Sequence, residues 1–319
     1  MVRAALLAVA TLLAPLPATA QDVSKVEIRT EPVTPGLAVL FGAGGNIAVS
    51  HGADGTILVD DQYAPLTPKI EAAIAALGAP PAKWLINTHW HGDHSGGNEN
   101  FGKAGAMIIA HDHVRERLAE GSVHRGGSAA PAPKQALPVL TYHDGITLHL
   151  NGDTVQVMHA PHAHTDGDSI LHWKTANAFH MGDLFFHKVT LPYIDLSSGG
   201  SAYGVLAAAD RVLGLADDKS VIIPGHGPLA TKADLAAYRA MLAEVIAAVE
   251  SAKAAGQTLA QVQAMKPAAK YEVKGGFISG DAFVAAIFNS ERGHPHGVQP
   301  DRSKDIMGAH DHGAETHSH

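Results

Sequence analysis

With 319 residues, 46% of them hydrophobic and 17% charged, the chain can bury a sizeable core in one large or two small domains, and wholesale disorder is excluded. The formal net charge of −8 and the absence of any Lys/Arg-rich run argue against a nucleic-acid partner. There is no cysteine, so neither a disulfide nor an N-terminal Cys lipid anchor is available, and the core or bound metal must hold the fold.

Residues 1–20 read as a secretory signal. Arg3 is followed by the apolar stretch Ala4 to Ala14, a break at Pro15-Leu16-Pro17 and the small-x-small site Ala18-Thr19-Ala20. The apolar run is shorter than the roughly 18 residues that span a bilayer, so the expectation is a periplasmic or secreted protein with no membrane anchor. Short strands follow at Val26–Ile28, Leu37–Leu40, Asn46–Val49 and Thr56–Val59, the last ending at Asp60-Asp61. Ile70, Ala73, Ile74 and Leu77 recur at helical spacing, which predicts a helix over 65–77 stopped by Gly78. A buried strand Lys83–Asn87 runs straight into His89-Trp90-His91-Gly92-Asp93-His94. Beyond it come a strand at 106–110, a helix at 111–119 and a Gly/Ser/Ala/Pro-rich stretch at 120–138 that reads as a mobile loop.

Strands are expected at 146–150, 154–159, 169–173, 178–181 and 221–223, and helices at 201–215, 232–255, 259–265 and 281–292. This order suggests two sheets packed face to face with helices outside, a four-layer αββα sandwich of mixed α/β class over residues 21–292. From Gly293 onward the chain is polar and carries six of the 22 histidines, at positions 294, 296, 310, 312, 317 and 319, which predicts a disordered tail.

Three imidazoles and a carboxylate within six residues, directly after an apolar strand, suit a metal site. On extended backbone His89 and His91 point to one side, and a turn at Gly92 can carry Asp93 and His94 toward a second point. Further ligands should stand at strand ends beside Gly or Pro. His164, in Pro161-His162-Ala163-His164-Thr165-Asp166-Gly167-Asp168, Asp183, in His180-Met181-Gly182-Asp183, and His226, in Pro224-Gly225-His226-Gly227, meet that condition.

Taken together these residues resemble the metallo-β-lactamase superfamily, whose pattern is His-x-His-x-Asp-His followed in order by His, Asp and His; the likeness spans about Val26 to Arg292. Asp60 matches the acidic residue that supports the metal loop. The resemblance implies a dinuclear zinc centre, with iron or manganese as variants. His89, His91 and His164 would hold one ion, Asp93, His94 and His226 the other, and Asp183 would bridge them. It also marks Asp93 as a catalytic residue. Two divalent cations lower the pKa of a shared water enough to give hydroxide near neutral pH, which attacks a small-molecule carbonyl without a Ser or Cys nucleophile.

An aspartate at position 183 is the glyoxalase II-like arrangement, where dedicated metallo-β-lactamases mostly carry Cys or Ser. The basic residues that bind glutathione in glyoxalase II are not evident, and export argues against a glutathione thioester. The expectation is therefore an exported hydrolase of an ester, thioester, lactone or β-lactam. Two alternatives stand beside it: a mononuclear-iron sulfur dioxygenase on the same fold, and a zinc-binding or metal-delivery protein motivated by the His-rich tail. His159, His162, His180 and His187 are read as packing, rim or exposed residues, Trp84, Trp173 and Phe185 as core, and Lys188 as a candidate contact for a substrate anion.

Overall fold

The computed structural model describes residues 23–124 and 127–291. The expected signal (1–20) and His-rich tail (293–319) lie outside the described residues. Fourteen strands and eight α-helices are formed among those residues. The first sheet takes strands β1 (Arg29–Thr34), β2 (Leu37–Phe41), β3 (Ile47–Gly52), β4 (Gly55–Val59), β5 (Ala82–Ile86), β6 (Met107–His111) and β9 (Leu140–Tyr142), in the spatial order β1-β2-β3-β4-β5-β6-β9. The second takes β10 (Gly145–Leu150), β11 (Asp153–Ala160), β12 (Asp168–Trp173), β13 (Ala178–His180) and β14 (Val221–Ile223), in sequence order. The remaining strands, β7 (Ser122–His124) and β8 (Gly127–Ala129), form a hairpin of their own.

The inner faces of both sheets supply one core. Val39, Ile57, Val59, Ile86 and Ile109 from the first sheet meet Val155, Val157, Leu171, Trp173 and Ile223 from the second, all at most 1% exposed. Each large apolar side chain buried here contributes about 1.5–3 kcal/mol. The outer face of the first sheet (Leu40, Val49, Leu58, Leu85) is covered by helix α1 (Thr67–Ala76) through Ile70 and Ile74, and by α3 (Asn98–Lys103) through Phe101. The outer face of the second is covered by α5 (Ala202–Leu215), α6 (Lys232–Ala254), α7 (Leu259–Ala264) and α8 (Gly280–Asn289). The expected αββα sandwich is thus formed. Among the described residues no helix is long and apolar enough to cross a membrane.

Several local expectations are corrected. Val26 and Ile28 form no strand; they pack, half-buried, on the α1 face, and pairing starts at Arg29. The helix expected over 65–77 divides into a 3-10 turn, Ala64–Leu66, and α1, which starts next to Pro68. Strand β5 is only half-buried, since Lys83 faces solvent. The stretch 120–138 is not a plain loop. It holds the β7–β8 hairpin and a 3-10 turn at Lys134–Ala136, where buried Ala136 accepts a hydrogen bond from Asn98. Helix α4 (Asp112–Glu120) begins one residue late because the His111 side chain caps it by accepting from His113 N.

Candidate metal centre

Every residue proposed from the sequence as a ligand stands at the same edge of the sandwich, beyond the C-terminal end of a strand or in the turn before one. β5 leads into His89 and His91, and the chain then coils into the short helix α2 (Gly92–Ser95), with His91 extended (φ −61°, ψ 146°) as its first cap. That one turn swings Asp93 and His94 away from the side occupied by His89 and His91. His164 precedes β12, Asp183 follows β13 in a 3-10 turn (Gly182–Leu184), and His226 follows β14.

The seven side chains sort into two groups. Ligand atoms of His89, His91, His164 and Asp183 lie within 4.8 Å of one another, as do those of Asp93, His94, Asp183 and His226. Asp183 belongs to both. Its Oδ1 is 3.0 Å from His94 Nε2 and 3.4 Å from His226 Nε2, while its Oδ2 is 3.7 Å from His164 Nε2 and 3.9 Å from His89 Nε2. One carboxylate oxygen therefore faces each group.

The outer nitrogens are tied so that the inner ones carry lone pairs. His94 Nδ1 donates to Asp60 Oδ2 at 2.7 Å, and His164 Nδ1 donates to the Tyr193 carbonyl at 2.8 Å. Thr88 donates both N–H and Oγ1–H to Asp60, and its oxygen accepts from His89 Nδ1 at 3.1 Å. His91 is turned the other way: Nε2 donates to Asp195 Oδ2 at 3.0 Å, leaving Nδ1 2.9 Å from His164 Nε2. Such tethers fix ring tautomer and orientation around a metal.

These donors fit a divalent cation. Buried His89 Nε2 finds no hydrogen-bond partner among the described residues, and lone-pair nitrogens face each other at 2.9 Å. Both arrangements are costly unless a positive centre sits between the groups. Burial lowers His89 well below the ordinary imidazole value, and together with His91 holds His164 at about 4, so both stay neutral. Burial alone would also lower His94, but Asp183, Asp93 and Asp60 outweigh it and raise it well above the ordinary value. Burial likewise opposes, and Asp183 and Asp93 overcome, at His226, which reaches about 9. The second group thus demands positive charge, which a cation can supply in place of protons. The centre opens on one side only. Asp93 and His226 side chains are 26% and 20% exposed, against at most 7% for His89, His91, His94, His164 and Asp183.

The other candidates are placed as follows. His162 is exposed, with left-handed backbone (φ 46°), and reaches only the Gly199 carbonyl. His180 is buried and donates to the Asn46 carbonyl, and His187 contacts the Pro228 carbonyl and Asp234. His159 stacks on His111 and donates to the Asp166 carbonyl at 2.9 Å. Lys188 pairs with Asp234 at 3.5 Å. Three functional residues carried no signal in the sequence: Asp195, Tyr193 through its carbonyl, and Thr88. Asp195 comes from a loop more than 100 positions beyond His91, and only folding brings the two together.

Residues 41–226 match the profile described as the metallo-beta-lactamase superfamily. The chain belongs to that superfamily and is a metal-dependent hydrolase of its αββα fold. It is 29% identical, over 255 residues covering 74% of this chain and 82% of the relative, to a hydroxyacylglutathione hydrolase from Anaeromyxobacter dehalogenans. An atrochrysone carboxyl ACP thioesterase from Pseudocercospora fijiensis is 26% identical over 135 residues, 38% of this chain and about a third (35%) of that enzyme. Among solved structures, a metallo-beta-lactamase from Pontibacter korlensis superposes with a TM-score of 0.57 at 16% identity, covering 68% of this chain and 99% of that one. At that identity the likeness concerns the fold alone.

Proposed function

We propose that this chain is a dinuclear zinc hydrolase of acyl bonds, with His89, His91 and His164 holding one ion, Asp93, His94 and His226 the other, and Asp183 bridging. The observation that carries this reading is the pair of four-donor groups with Asp183 common to both. Their N/O composition suits zinc. Two such ions supply Lewis acidity and ionise water near neutral pH.

The chain's own residues do the rest. Asp60, Asp195 and the Tyr193 carbonyl hold the rings of His94, His91 and His164 in register. Trp90 and Phe186, both 2% exposed, close the surroundings to bulk water. Asp93 lies on the open side, where its Oδ2 is 3.2 Å from His226 Nε2 and can accept a hydrogen bond from an incoming water or substrate. No Ser or Cys nucleophile is needed. Within the acyl class, thioesters come first, because the relatives are named as a hydroxyacylglutathione hydrolase and an ACP thioesterase. Action outside the cytoplasm, after removal of residues 1–20, belongs to the same proposal.

Metal analysis of purified protein together with turnover of thioester, lactone, ester and nitrocefin panels tests it. About two zinc per chain and turnover abolished by EDTA are expected. A single iron with oxygen uptake, or no carbonyl substrate turned over by zinc-loaded protein, would overturn it.

A further inference from the structure

Phe277 is 59% exposed, the second most exposed large hydrophobic side chain among the described residues. Its backbone is nonetheless firmly held. Ile278 N donates to Thr190 Oγ1 at 2.9 Å, Gly276 N to the Val273 carbonyl at 2.9 Å, and Gly280 N to Glu272 Oε1. Gly276 also lies so close to Thr190 that a Cβ there would approach its Cα to 3.1 Å. The ring is thus presented to solvent by an anchored loop rather than by a frayed end.

One ring, Phe186, separates it from the metal centre. Phe186 stacks parallel to the His226 ring, with centroids 5.5 Å apart and planes 1° apart, and Phe277 meets Phe186 edge-on at 6.0 Å. Phe186 also meets His164 at 6.3 Å, so it backs both ligand groups. His226 is one of the two partly exposed residues of the centre, and Phe277 is joined to it through Phe186. An apolar ring held in water one ring away from a polar centre loses hydrophobic stabilisation that a bound apolar group would restore.

We propose that Phe277, backed by Phe186, is a specificity-determining platform that seats an aryl or alkyl group of the acyl substrate, so the enzyme prefers apolar substrates to acetyl-sized ones. The inference rests on the acyl-hydrolase reading and narrows its substrate class. Phe277 contacts the substrate away from the reacting carbonyl, so it sets KM rather than kcat.

The test compares wild type, Phe277→Ala and Phe277→Leu on acetyl and phenylacetyl thioesters of one thiol, and on methyl and benzyl thioesters of acetate. In parallel, calorimetry measures binding of phenylacetate and acetate to the zinc-loaded protein. Wild type should show a KM about tenfold lower for at least one aryl-bearing member of a pair. Phe277→Ala should erase that difference with kcat within about twofold, and Phe277→Leu, which keeps apolar area, should retain much of it. Metal content and melting temperature of both variants should match wild type, because the side chain is largely exposed. No aryl preference in wild type, or a preference undiminished in Phe277→Ala, overturns the platform. If no carbonyl substrate of any class is turned over, the hydrolase reading fails on its own. Phenylacetate binding that is tighter than acetate and lost in Phe277→Ala would then still uphold the platform, and equal binding would sink it.

Discussion

At the residue scale the centre depends on side chains that do not themselves face the cation positions. Asp195 is 3% exposed and accepts from His91 Nε2, Ser197 and Ser198, which holds His91 with Nδ1 inward. Replacing Asp195 by Ala frees that ring to flip. Zinc affinity of the group holding His91 and kcat/KM should each fall by about 10–100-fold, whereas His162→Ala should change neither. Equal losses in the two variants would show that Asp195 has no positioning role. A second histidine cluster makes a prediction about stability. His111 stacks on His159 with centroids 3.7 Å apart, and burial, with His159 and His113 nearby, lowers it from 6.5 to about 3. Between those values the unfolded chain takes up a proton that the native protein refuses, so stability falls as pH drops from about 6.5 toward 3. Urea unfolding at pH 7 and pH 4.5 should show a smaller loss in His111→Asn, whose side chain can still cap α4. A loss as large as in wild type would contradict the assignment.

At the element scale, strand ends and tight loops from both sheets converge on the ligands. The loop between β2 and β3 passes so close that a Cβ on Gly45 would lie 2.1 Å from His94 Cε1 and 2.4 Å from its Nε2. The turn after β14 is equally tight, since a Cβ on Gly225 would lie 2.1 Å from Asp183 Oδ1. Neither glycine has a positive φ, so the requirement is space rather than backbone conformation. Gly45→Ala should therefore displace His94 while leaving the sheets paired. Far-UV circular dichroism should be unchanged, with about half the zinc lost and activity lower by about 10–100-fold. Full metal occupancy in that variant would show that the loop can move aside at no cost.

At the scale of the whole molecule, the ligands join two halves that the sheets keep distinct. His89, His91, Asp93 and His94 belong to the first sheet's half and His164, Asp183 and His226 to the second's. Buried Asn46 adds a further tie, donating its amide to the Pro224 and Gly227 carbonyls at 2.9 and 2.8 Å. Cations bound across this seam stabilise the native state by mass action, about 3–4 kcal/mol at 100–1,000 times the dissociation constant. EDTA should lower the melting temperature by several degrees, and zinc added back should restore it more fully than magnesium. A melting temperature indifferent to chelator would mean that the centre contributes nothing to holding the halves together.

The alternation of apolar strands with helical periods, and the placement of His and Asp directly after strands, were enough to reach the αββα architecture and the seven convergent side chains. Those are local signals: hydrophobic period and strand termini are written within a few residues of each ligand. Short elements and supports were not legible. The coil of α2 that separates Asp93 and His94 from His89 and His91, the hairpin within 120–138 and the late start at Arg29 are set by tertiary packing, which overrides weak local preference. Asp195 under His91, Gly45 against His94 and Phe277 against Phe186 depend on contacts between segments from about 50 to more than 100 residues apart. Their residue types are ordinary in sequence, and only the closing of one sheet on the other gives them a partner. The amino-acid sequence by itself therefore determined the class of chemistry, because ligand identity follows from residue type and strand position. The tertiary structure decided how the donors divide around Asp183, which nitrogen each ring turns inward and which side of the centre a substrate can approach, because orientation and access exist only once distant segments share one edge of the fold.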